Sequence, residues 1–430
     1  MSERTDAPGP LRRRGPRPLL LHLTLAMLRS NVSIAASSPW NPASPLWKDA
    51  LHPALAGMSP AGRAAAEAVA AALRDGGTDT DPANFPGAFP AAVLAEALRQ
   101  DSALLAGIAA YRRHPYARAL PDPPTLWAEG GSRLLDYATG GTGPAVLFVP
   151  SLVNRAYVLD LAPGRSLLRW LAARGARPLL LDWGWPGEVE RGFTLTDYIA
   201  GRLERALVAA VAASGGKVVL AGYCMGGLLA LAAAARRPES VAGLALLATP
   251  WDFHAGAGDA AAETMARLLP LLEPALSLHG TLPIDGLQML FALLDPFGVA
   301  AKYRAFGRLD PAGGRAELFV ALEDWLNDGV PLAAPVAREC LGGWYGANTP
   351  ARGEWRVAGM PVDPAALRLP CFVAVPSRDR IVPPESARPL AVSIPGARMH
   401  TPAAGHIGMA AGAGAEQALW APLAAWLEAS

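Results

Sequence analysis

The stretch Val218–Leu231 reads VVLAGYCMGGLLAL. It begins as an apolar strand pattern and ends as an apolar helix pattern. Between the two, Gly222, Cys224 and Gly226 have the Gly-x-nucleophile-x-Gly spacing of a nucleophile elbow, a sharp strand-to-helix turn that needs small residues beside the nucleophile. The stretch therefore predicts an α/β fold with a reactive side chain at the carboxyl end of a strand.

The predicted nucleophile is a cysteine, where most such turns carry serine. The N-terminus of the following helix favours a thiolate at Cys224, and the N–H of Met225 is the predicted first oxyanion donor. A tight glycine turn around an inert buried cysteine is the alternative interpretation. Cys340 and Cys371 are expected to be structural, since neither adjoins a glycine elbow. Three widely spaced cysteines argue against a disulfide framework or a zinc site and favour a reducing cytoplasm.

Short apolar segments alternate with helical ones from about Trp127 to Pro250. The segments SRLLDYA, AVLFVPS, RPLLLDW, KVVLAGY and VAGLALLATP are typical of buried strands. The segment LTDYIAGRLERALVAAVAASGG is expected to form a helix, with Thr196 as its N-cap. Continuous apolar strands separated by helices predict a mostly parallel sheet that is covered on both faces.

The pattern divides the chain into four parts. Residues 1–115 are expected to form a helical N-terminal region, with helices near Ser59–Arg74 and Pro90–Tyr111. The core occupies 116–250 and resumes at 346–430, ending in a helix near 416–428. Residues 251–345 are leucine-rich and helical, which predicts an inserted cap over the active site.

Two further residues complete a candidate triad in the order nucleophile, acid, histidine. Asp379 follows the strand CFVAVPS, and His406 lies in the small-residue loop AAGHIG. Each is expected at the carboxyl end of a strand, where sites in α/β proteins form. Asp379 taken alone is equally typical of a turn, and His400, at a strand end, is expected to be structural.

The loop after an earlier strand, VPSLVNRAYVLDL at Val149–Leu161, is predicted to supply the second oxyanion donor. A backbone N–H near Leu152 or Val153 is the candidate. Polar residues of this loop and two tryptophans beyond a neighbouring strand are candidates to line the substrate pocket, with hydrogen bonding within the loop and simple packing as the alternatives. These pocket candidates are Asn154, Arg155, Tyr157, Asp160, Trp183 and Trp185.

Bulk composition narrows the function classes. The chain has 430 residues, 52% of them hydrophobic and 17% charged, with a formal net charge of +1. That charge gives no indication of nucleic-acid binding, and a mean hydropathy of +0.22 indicates apolar surface for an oligomer, a lipid-like substrate or a membrane edge. Four arginines precede the apolar run Pro18–Leu28, which resembles a signal peptide but is too short to span a bilayer. A helix that docks on the core, a granule or a membrane is the favoured interpretation.

Seven segments together resemble the catalytic domain of the poly(3-hydroxyalkanoate) synthases, a family with the α/β-hydrolase fold. They occur in family order from about Leu120 to the C-terminus: VPSLVNRAYVLDL, LLLDWGWP, TLTDYI, ATPWDF, DWLNDGVP, PSRDRIVPPESA and GHIG, in addition to the elbow. The resemblance implies that Cys224 is the nucleophile, His406 the general base and Asp379 its partner. It also implies a cap domain, a homodimer formed through that cap, and association with polymer granules in the cytoplasm.

The resemblance implies an acyltransferase that polymerises (R)-3-hydroxyacyl-CoA into polyester through a cysteine acyl-enzyme and releases CoA. Its partners are the acyl-CoA and the growing chain; no metal or redox cofactor is expected, since CoA is part of the substrate. A depolymerase or acyl-CoA thioesterase with the same triad is the first alternative. A non-catalytic, granule-associated partner of a longer synthase is the second.

Overall fold

The computed structural model describes residues 13–37, 85–256 and 259–429. They fall into two compact units, one made of 13–18, 114–295 and 310–429, the other of 19–37, 85–113 and 296–309. The helix predicted near Ser59–Arg74 lies outside the described residues.

The first unit is built on an eight-stranded sheet. The strands, numbered in chain order, are β1 Thr125–Glu129, β2 Ser132–Asp136, β3 Ala145–Val149, β4 Arg177–Asp182, β5 Val218–Tyr223, β6 Val241–Leu247, β7 Cys371–Ala374 and β8 Arg398–His400. Their spatial order is β1-β2-β4-β3-β5-β6-β7-β8. Strand β2 runs antiparallel to β1 and β4, whereas the neighbours from β4 to β8 are all parallel. The predicted mostly parallel sheet is confirmed.

Helices follow the strands, as a parallel sheet requires for its crossovers. Their bounds are α1 Leu19–Ser37, α2 Phe85–Arg113, α3 Leu167–Ala172, α4 Glu204–Ser214, α5 Met225–Arg236, α6 Asp259–His279, α7 Ile284–Ala292, α8 Gly298–Phe306, α9 Gly314–Asn327, α10 Ala334–Arg338, α11 Pro384–Ser393, α12 His406–Ala411 and α13 Ala421–Ala429. Wider helical turns at Asp197–Leu203, Glu339–Gly346 and Glu416–Trp420 adjoin α4, α10 and α13. The helix predicted to begin within TLTDYI and the helix predicted at the C-terminus are therefore present.

The sheet is buried on both faces because successive side chains of its strands enter different cores. Leu147 and Leu220 pack in one core, which includes α4 and α5. Phe148 and Ala221, their immediate neighbours, pack in the other, which includes α3 and α13. This two-sided burial explains why the strands are continuous apolar runs rather than alternating patterns.

The segment between β6 and β7 is mostly helical and includes α6 to α10. A short antiparallel ladder pairs Thr281–Leu282 with Leu332–Ala333 inside it. Residues 296–309, which contain α8, group with α1 and α2 in the second unit. The four-part division at 115, 250 and 345 stays a prediction.

The second unit brings α1, α2 and α8 together. The rings of Tyr111 and Tyr303 meet edge to face with centroids 5.5 Å apart. A Cβ at Gly107 would collide with the carbonyl oxygen of Tyr303, so this glycine permits close helix contact. Helix α1 contains the apolar run that the sequence predicted as helical. Among the described residues, no helix combines the length and the apolar character needed to cross a bilayer.

The helix that begins within TLTDYI is capped by Thr194 rather than by the predicted Thr196. The N–H of Asp197 donates to Thr194 Oγ1 at 3.2 Å, and Thr194 N–H donates to Asp197 Oδ2 at 2.8 Å. This reciprocal arrangement is a capping box. Thr196 is already in helical conformation, and its hydroxyl accepts instead from the N–H of Ala358 at 3.1 Å.

Candidate active site

Cys224 occupies a strained turn between β5 and α5. Its backbone lies at φ 56° and ψ −129°, in the left-handed half of the φ range that side chains with a Cβ seldom adopt. Two hydrogen bonds hold the turn: Cys224 N–H donates to Leu247 O at 2.8 Å, and Gly227 N–H donates to Cys224 O at 2.9 Å. The conformation is that of the nucleophile elbow predicted from the sequence.

The glycines around Cys224 are required by close backbone approach. A Cβ at Gly222 would collide with the backbone of Gly227, and one at Gly226 would collide with the carbonyl oxygen of Val149. A Cβ at Gly227 would collide with the hydroxyl of Thr249. Strand β5, the turn and helix α5 therefore pack closely only because these positions lack side chains.

Asp379 lies five residues beyond the end of β7 and is buried. Its Oδ1 accepts backbone N–H groups from Ile381 at 2.8 Å and Val382 at 2.9 Å. These two bonds orient the carboxylate and leave Oδ2 to bond His406 Nδ1 at 2.6 Å. Asp379 is therefore both a turn residue and the partner of His406, because its local turn directs the carboxylate toward the histidine.

His406 is the first residue of α12 and is buried beside the elbow. A carboxylate only accepts hydrogen bonds, so Nδ1 carries the proton that bonds Asp379, and Nε2 is the atom available to hydrogen-bond Cys224. Tyr223 also contacts this histidine: its hydroxyl donates to the backbone oxygen of His406 at 3.2 Å, and the two ring centroids are 5.2 Å apart.

The electrostatic surroundings of His406 favour its protonated form. Burial on its own lowers the pKa of this imidazole, but the charge of Cys224 and the hydrogen bond to Asp379 outweigh burial and raise the pKa to about 10. The raised pKa favours a protonated His406 beside Cys224 and Asp379. The pair of His406 and Asp379 is suited to deliver a proton to a leaving group and to accept one from an incoming nucleophile.

Cys224 and His406 face a cavity of about 220 Å³. Buried side chains form part of its wall, among them Val158, Tyr223 and Trp325. Its mouth carries Arg380 and Asp295, whose side chains are 85% and 52% exposed and whose charges lie 3.6 Å apart. The other residues of the wall are Pro150, Ser151, Val153, Asn154, Arg155, Gln288, Phe291, Leu294, Leu326, Ile381 and Ile407. The nucleophile thus faces a largely apolar chamber with a charged mouth.

The predicted oxyanion donors differ in their placement. Met225 is the first residue of α5, so its N–H is among the four that lack an acceptor within the helix. Val153 lines the cavity, and its N–H makes a long 3.3 Å bond to Ser151 Oγ. Leu152 packs in the core cluster beneath the sheet instead. The oxyanion role of Met225 and Val153 stays a proposal.

Of the predicted pocket residues in the loop after β3, Asn154 and Arg155 line the cavity. Tyr157, Asp160, Trp183 and Trp185 are not part of its described wall. The ring of Tyr157 lies against the guanidinium of Arg118, 5.2 Å from its centroid. Trp183 is buried, with its Nε1 donating to Pro150 O at 3.0 Å, and Trp185 is 49% exposed. Packing therefore accounts for Trp183.

Asp160 is the centre of a buried charge network. Its carboxylate is fully buried and bonds Arg169 at 2.8 Å, Arg118 at 3.0 Å and the hydroxyl of Tyr137 at 3.1 Å. These three partners come from separate segments of the chain. Asp160 thus anchors the far end of the loop that carries Asn154, which supports the hydrogen-bonded-loop interpretation.

The other cysteines and the rival histidine lie in structural positions. Burial raises the pKa of the Cys371 thiol to about 12, and it raises that of Cys340 well above its usual value. His400 stacks on Phe372 with ring centroids 5.8 Å apart, and its Nε2 bonds Ala418 O at 2.7 Å. These surroundings agree with the structural roles predicted for all three.

Comparison with known proteins places this site in a family. Residues 144–278 match the family model described as the alpha/beta hydrolase fold. The chain is 30% identical over 292 residues to the poly(3-hydroxyalkanoate) polymerase subunit PhaC of Allochromatium vinosum, a match that covers 66% of this chain and 80% of that protein. The chain belongs to the poly(3-hydroxyalkanoate) polymerase PhaC family. The subunit of Synechocystis sp. is also 30% identical, over 66% of this chain and 77% of its own length.

The PhaC relatives differ in how much of their length is matched. The subunit of Haloferax mediterranei is 30% identical over 65% of this chain, but the match spans only 58% of that relative. For the subunit of Haloarcula marismortui, at 29% identity, the share of the relative is 60%. These matches leave about two fifths of those two relatives uncovered, so the activity of this chain is a matter for proposal.

Several cavity residues were not identified as such from the sequence. Trp325 lies in the segment DWLNDGVP, which contributed to the family resemblance but for which no role was predicted. Its Nε1 donates to Arg155 O at 2.7 Å. Gln288 Nε2 donates to Leu326 O at 3.0 Å, closing the wall between α7 and α9. Arg380 adjoins Asp379 in the sequence, which is the one local signal that could have placed it at the mouth.

Proposed function

We propose that this PhaC-family chain is an acyltransferase that takes 3-hydroxyacyl groups from CoA thioesters and joins them into polyester through Cys224. The observation that supports this most is the strained elbow cysteine, which lines one apolar cavity together with His406, while Asp379 is hydrogen-bonded to that histidine. PhaC relatives that are named as polymerases support the choice of substrate.

In the first step, the Cys224 thiolate attacks the thioester carbonyl carbon. The developing oxyanion is stabilised by the N–H of Met225 and by a second backbone donor, for which Val153 is the candidate. The carbon–sulfur bond to CoA breaks, and the leaving thiolate takes the proton from the His406 imidazolium. CoA departs through the mouth, and a 3-hydroxyacyl thioester remains on Cys224.

In the second step, the 3-hydroxyl of another acyl unit attacks the Cys224 thioester. Neutral His406 accepts the hydroxyl proton at Nε2, while Asp379 stabilises the imidazolium that forms at Nδ1. The carbon–sulfur bond to Cys224 breaks and an ester forms, which restores the thiolate–imidazolium pair. Each cycle lengthens the chain by one unit and requires no group beyond the acyl-CoA and the growing polyester.

Sulfur suits this transfer because a thioester passed to a thiol remains a thioester. The acyl group on Cys224 therefore stays activated for attack by an alcohol. A serine would convert it at once to an oxygen ester, with little free energy left to form the polymer linkage. We propose accordingly that Cys224→Ser loses polymerisation while retaining slow hydrolysis.

The test supplies purified protein with (R)-3-hydroxybutyryl-CoA and follows both CoA release and the product. Insoluble polyester is the expected product, whereas free hydroxy acid would indicate the thioesterase or depolymerase alternative. Cys224→Ala should abolish CoA release, and Cys371→Ala, which removes a buried thiol elsewhere, should retain it. Normal turnover by Cys224→Ala would refute the assignment. Protein that is inert alone but alters a longer synthase in a mixture would indicate the non-catalytic alternative.

The assembly and location of the protein are proposals that rest on the family resemblance. We propose a homodimer that associates with polymer granules in the cytoplasm. Analytical ultracentrifugation with and without acyl-CoA measures the oligomeric state. Co-sedimentation with isolated polyester granules measures granule association. A strictly monomeric protein that stays in the supernatant would contradict both.

A further inference from the structure

The mouth of the active-site cavity carries two opposite charges that the proposed mechanism does not use. Arg380 and Asp295 both line the cavity, and both side chains are exposed. Their closest charged atoms are 3.6 Å apart, which is longer than a hydrogen bond between charged groups. Among the described residues, none forms a hydrogen bond with the Arg380 guanidinium. This cation is therefore loosely held and accessible to an anionic ligand.

The other arginine of the cavity wall is placed differently. The side chain of Arg155 is only 23% exposed, and its guanidinium lies 3.5 Å from the carboxylate of Asp182, which is itself nearly buried. Its backbone oxygen accepts a hydrogen bond from Trp325 Nε1 at 2.7 Å. Arg155 thus belongs to the packed loop, and Arg380 is the described wall residue that presents a positive charge to solvent at the mouth.

The size of the cavity determines where the parts of an acyl-CoA can lie. A cavity of about 150 Å³ holds one benzene ring, so the 220 Å³ beside Cys224 holds a short acyl group but not a nucleotide. The wall is largely apolar, and phosphate groups buried there would lose their hydration without compensation. The phosphates of CoA therefore have to stay outside, where the charges of Arg380 and Asp295 are found.

The backbone of Arg380 is fixed beside the triad. Arg380 follows Asp379 directly, and the carboxylate of Asp379 accepts the N–H groups of Ile381 at 2.8 Å and Val382 at 2.9 Å. The side chain of Arg380 thus begins at a defined point of the mouth, while its length allows the guanidinium to turn from Asp295 to a ligand. Guanidinium groups bind phosphate with paired N–H donors.

We propose that Arg380 binds the nucleotide phosphates of the incoming acyl-CoA, and that Asp295 competes with those phosphates for its guanidinium. This inference rests on the proposed function and assigns a substrate-binding residue and its competitor within it. The carboxylate of Asp295 also repels phosphate, so its charge lowers the affinity for acyl-CoA. A polyester chain carries no phosphate, so the charge pair acts on the loading of Cys224 and not on the growing chain.

The experiment compares two thioesters that carry the same acyl group. (R)-3-hydroxybutyryl-CoA has the nucleotide and its phosphates, whereas (R)-3-hydroxybutyryl-N-acetylcysteamine lacks both. Arg380→Gln should raise the KM for the CoA thioester roughly threefold to tenfold, between the effects of an exposed ion pair and of a charged hydrogen bond. Its kcat/KM for the truncated thioester should change little. Equal losses for both thioesters would overturn the inference, because they would indicate damage to the neighbouring Asp379.

A variant of Asp295 tests the competition with the opposite sign. Asp295→Asn should lower the KM for (R)-3-hydroxybutyryl-CoA roughly twofold to fivefold, because it releases Arg380 and removes a repulsive charge. The gain should be smaller in Arg380→Gln protein, since the competition requires both side chains. A higher KM in Asp295→Asn, or the same gain with the truncated thioester, would contradict the competition.

A control variant separates phosphate binding from a general effect of lost charge. Arg174 precedes the amino end of β4, at the edge of the sheet opposite the cavity, and its guanidinium lies 3.6 Å from Glu416. The two side chains are 46% and 56% exposed, so the pair resembles that of Arg380 and Asp295. Arg174→Gln should leave the KM for both thioesters unchanged. A rise in KM equal to that of Arg380→Gln would overturn the inference.

Binding measurements distinguish this inference from the proposed function. Calorimetric titration of Cys224→Ala protein with free CoA requires no turnover, and Arg380→Gln in that background should weaken binding and reduce its salt dependence. Failure of Cys224→Ala protein to bind CoA would overturn the inference. Acyl-CoA turnover with binding and KM independent of Arg380 would retain the acyltransferase and discard this role. CoA binding that depends on Arg380, without CoA release by the native protein, would do the reverse.

Discussion

At the scale of single residues, the conformation of Cys224 links stability to reactivity. A φ of 56° with ψ of −129° costs a side-chain-bearing residue about 1–3 kcal/mol, a cost that glycine largely avoids. The turn nevertheless lifts the sulfur off the end of β5 toward His406. The role proposed for Cys224 as the nucleophile would account for the persistence of this unfavourable backbone conformation.

This strain predicts an order of stability among Cys224 variants. Cys224→Gly should be about 1 kcal/mol more stable than Cys224→Ala, because only the glycine relaxes at positive φ. Urea denaturation of the two inactive variants measures the difference. An alanine variant that equals or exceeds the glycine variant would show that the turn is not strained.

The pKa of His406 is the second prediction at this scale. Histidine NMR signals should give a pKa near 10 in the native protein. Asp379→Asn and Cys224→Ala should each lower that value, because each removes a group that raises it. A native pKa at the unperturbed value of about 6.5 would contradict the described geometry.

The raised pKa also sets the sign of a stability change. The folded state binds the His406 proton more tightly than the unfolded state, so this contribution to stability is complete below about pH 6.5. It is lost as the pH rises toward about 10. The difference in unfolding free energy between native protein and Asp379→Asn should therefore shrink from pH 7 to pH 10. A difference that grows over this range would refute the assignment.

The sequence predicted which triad residues come together but not which neighbours share the cavity. Cys224, Asp379 and His406 each follow a parallel strand, and the carboxyl ends of such strands meet at one edge. Trp183 also follows a strand, yet its side chain enters the core. The direction that a side chain takes beyond the end of a strand depends on the geometry of the loop, which local sequence patterns do not determine.

At the scale of elements, the helix that begins near Asp197 shows how closely sequence can place a boundary. TLTD offers two threonines, and the sequence favoured the one adjacent to the helical pattern. The structure selects Thr194 because only it exchanges hydrogen bonds with Asp197. The three-residue spacing of Thr194 and Asp197, which is that of a capping box, was the signal in the sequence that could have identified the N-cap.

The cap assignment predicts unequal effects of two threonine substitutions. Thr194→Ala should destabilise the protein by about 1 kcal/mol, because it leaves an N–H at the helix start without its acceptor. Thr196→Ala, the matched control, removes a single bond to Ala358 and should cost less. Thermal denaturation of both variants measures the order, and a larger loss for Thr196→Ala would reverse the assignment.

At the scale of the whole molecule, separate segments of the chain are joined through one buried carboxylate. Asp160 binds Arg118, Arg169 and Tyr137, which come from three different segments of the sheet-containing unit. Nothing in the local sequence around Asp160 reveals these partners. The same holds for residues 296–309, which group with α1 and α2 although they lie within the predicted cap.

The Asp160 network predicts a large loss of stability on its removal. Asp160→Ala should lower the free energy of unfolding by roughly 3 kcal/mol, since it leaves two arginines and a tyrosine hydroxyl without their shared acceptor. The exposed pair of Arg99 and Glu96 is the matched control, and Glu96→Ala should change stability far less than Asp160→Ala, because water screens an exposed ion pair. Equal effects of the two variants would show that the network does not hold the fold together.

The central claim, that Cys224 carries the acyl group, is tested most directly by mass spectrometry of the enzyme intermediate. Protein mixed with (R)-3-hydroxybutyryl-CoA is quenched in acid, digested and mapped. The account predicts a 3-hydroxybutyryl thioester on the peptide that contains Cys224 and its absence in Cys224→Ala. An acyl group on another residue, or CoA release with no acyl-enzyme at any time point, would contradict it.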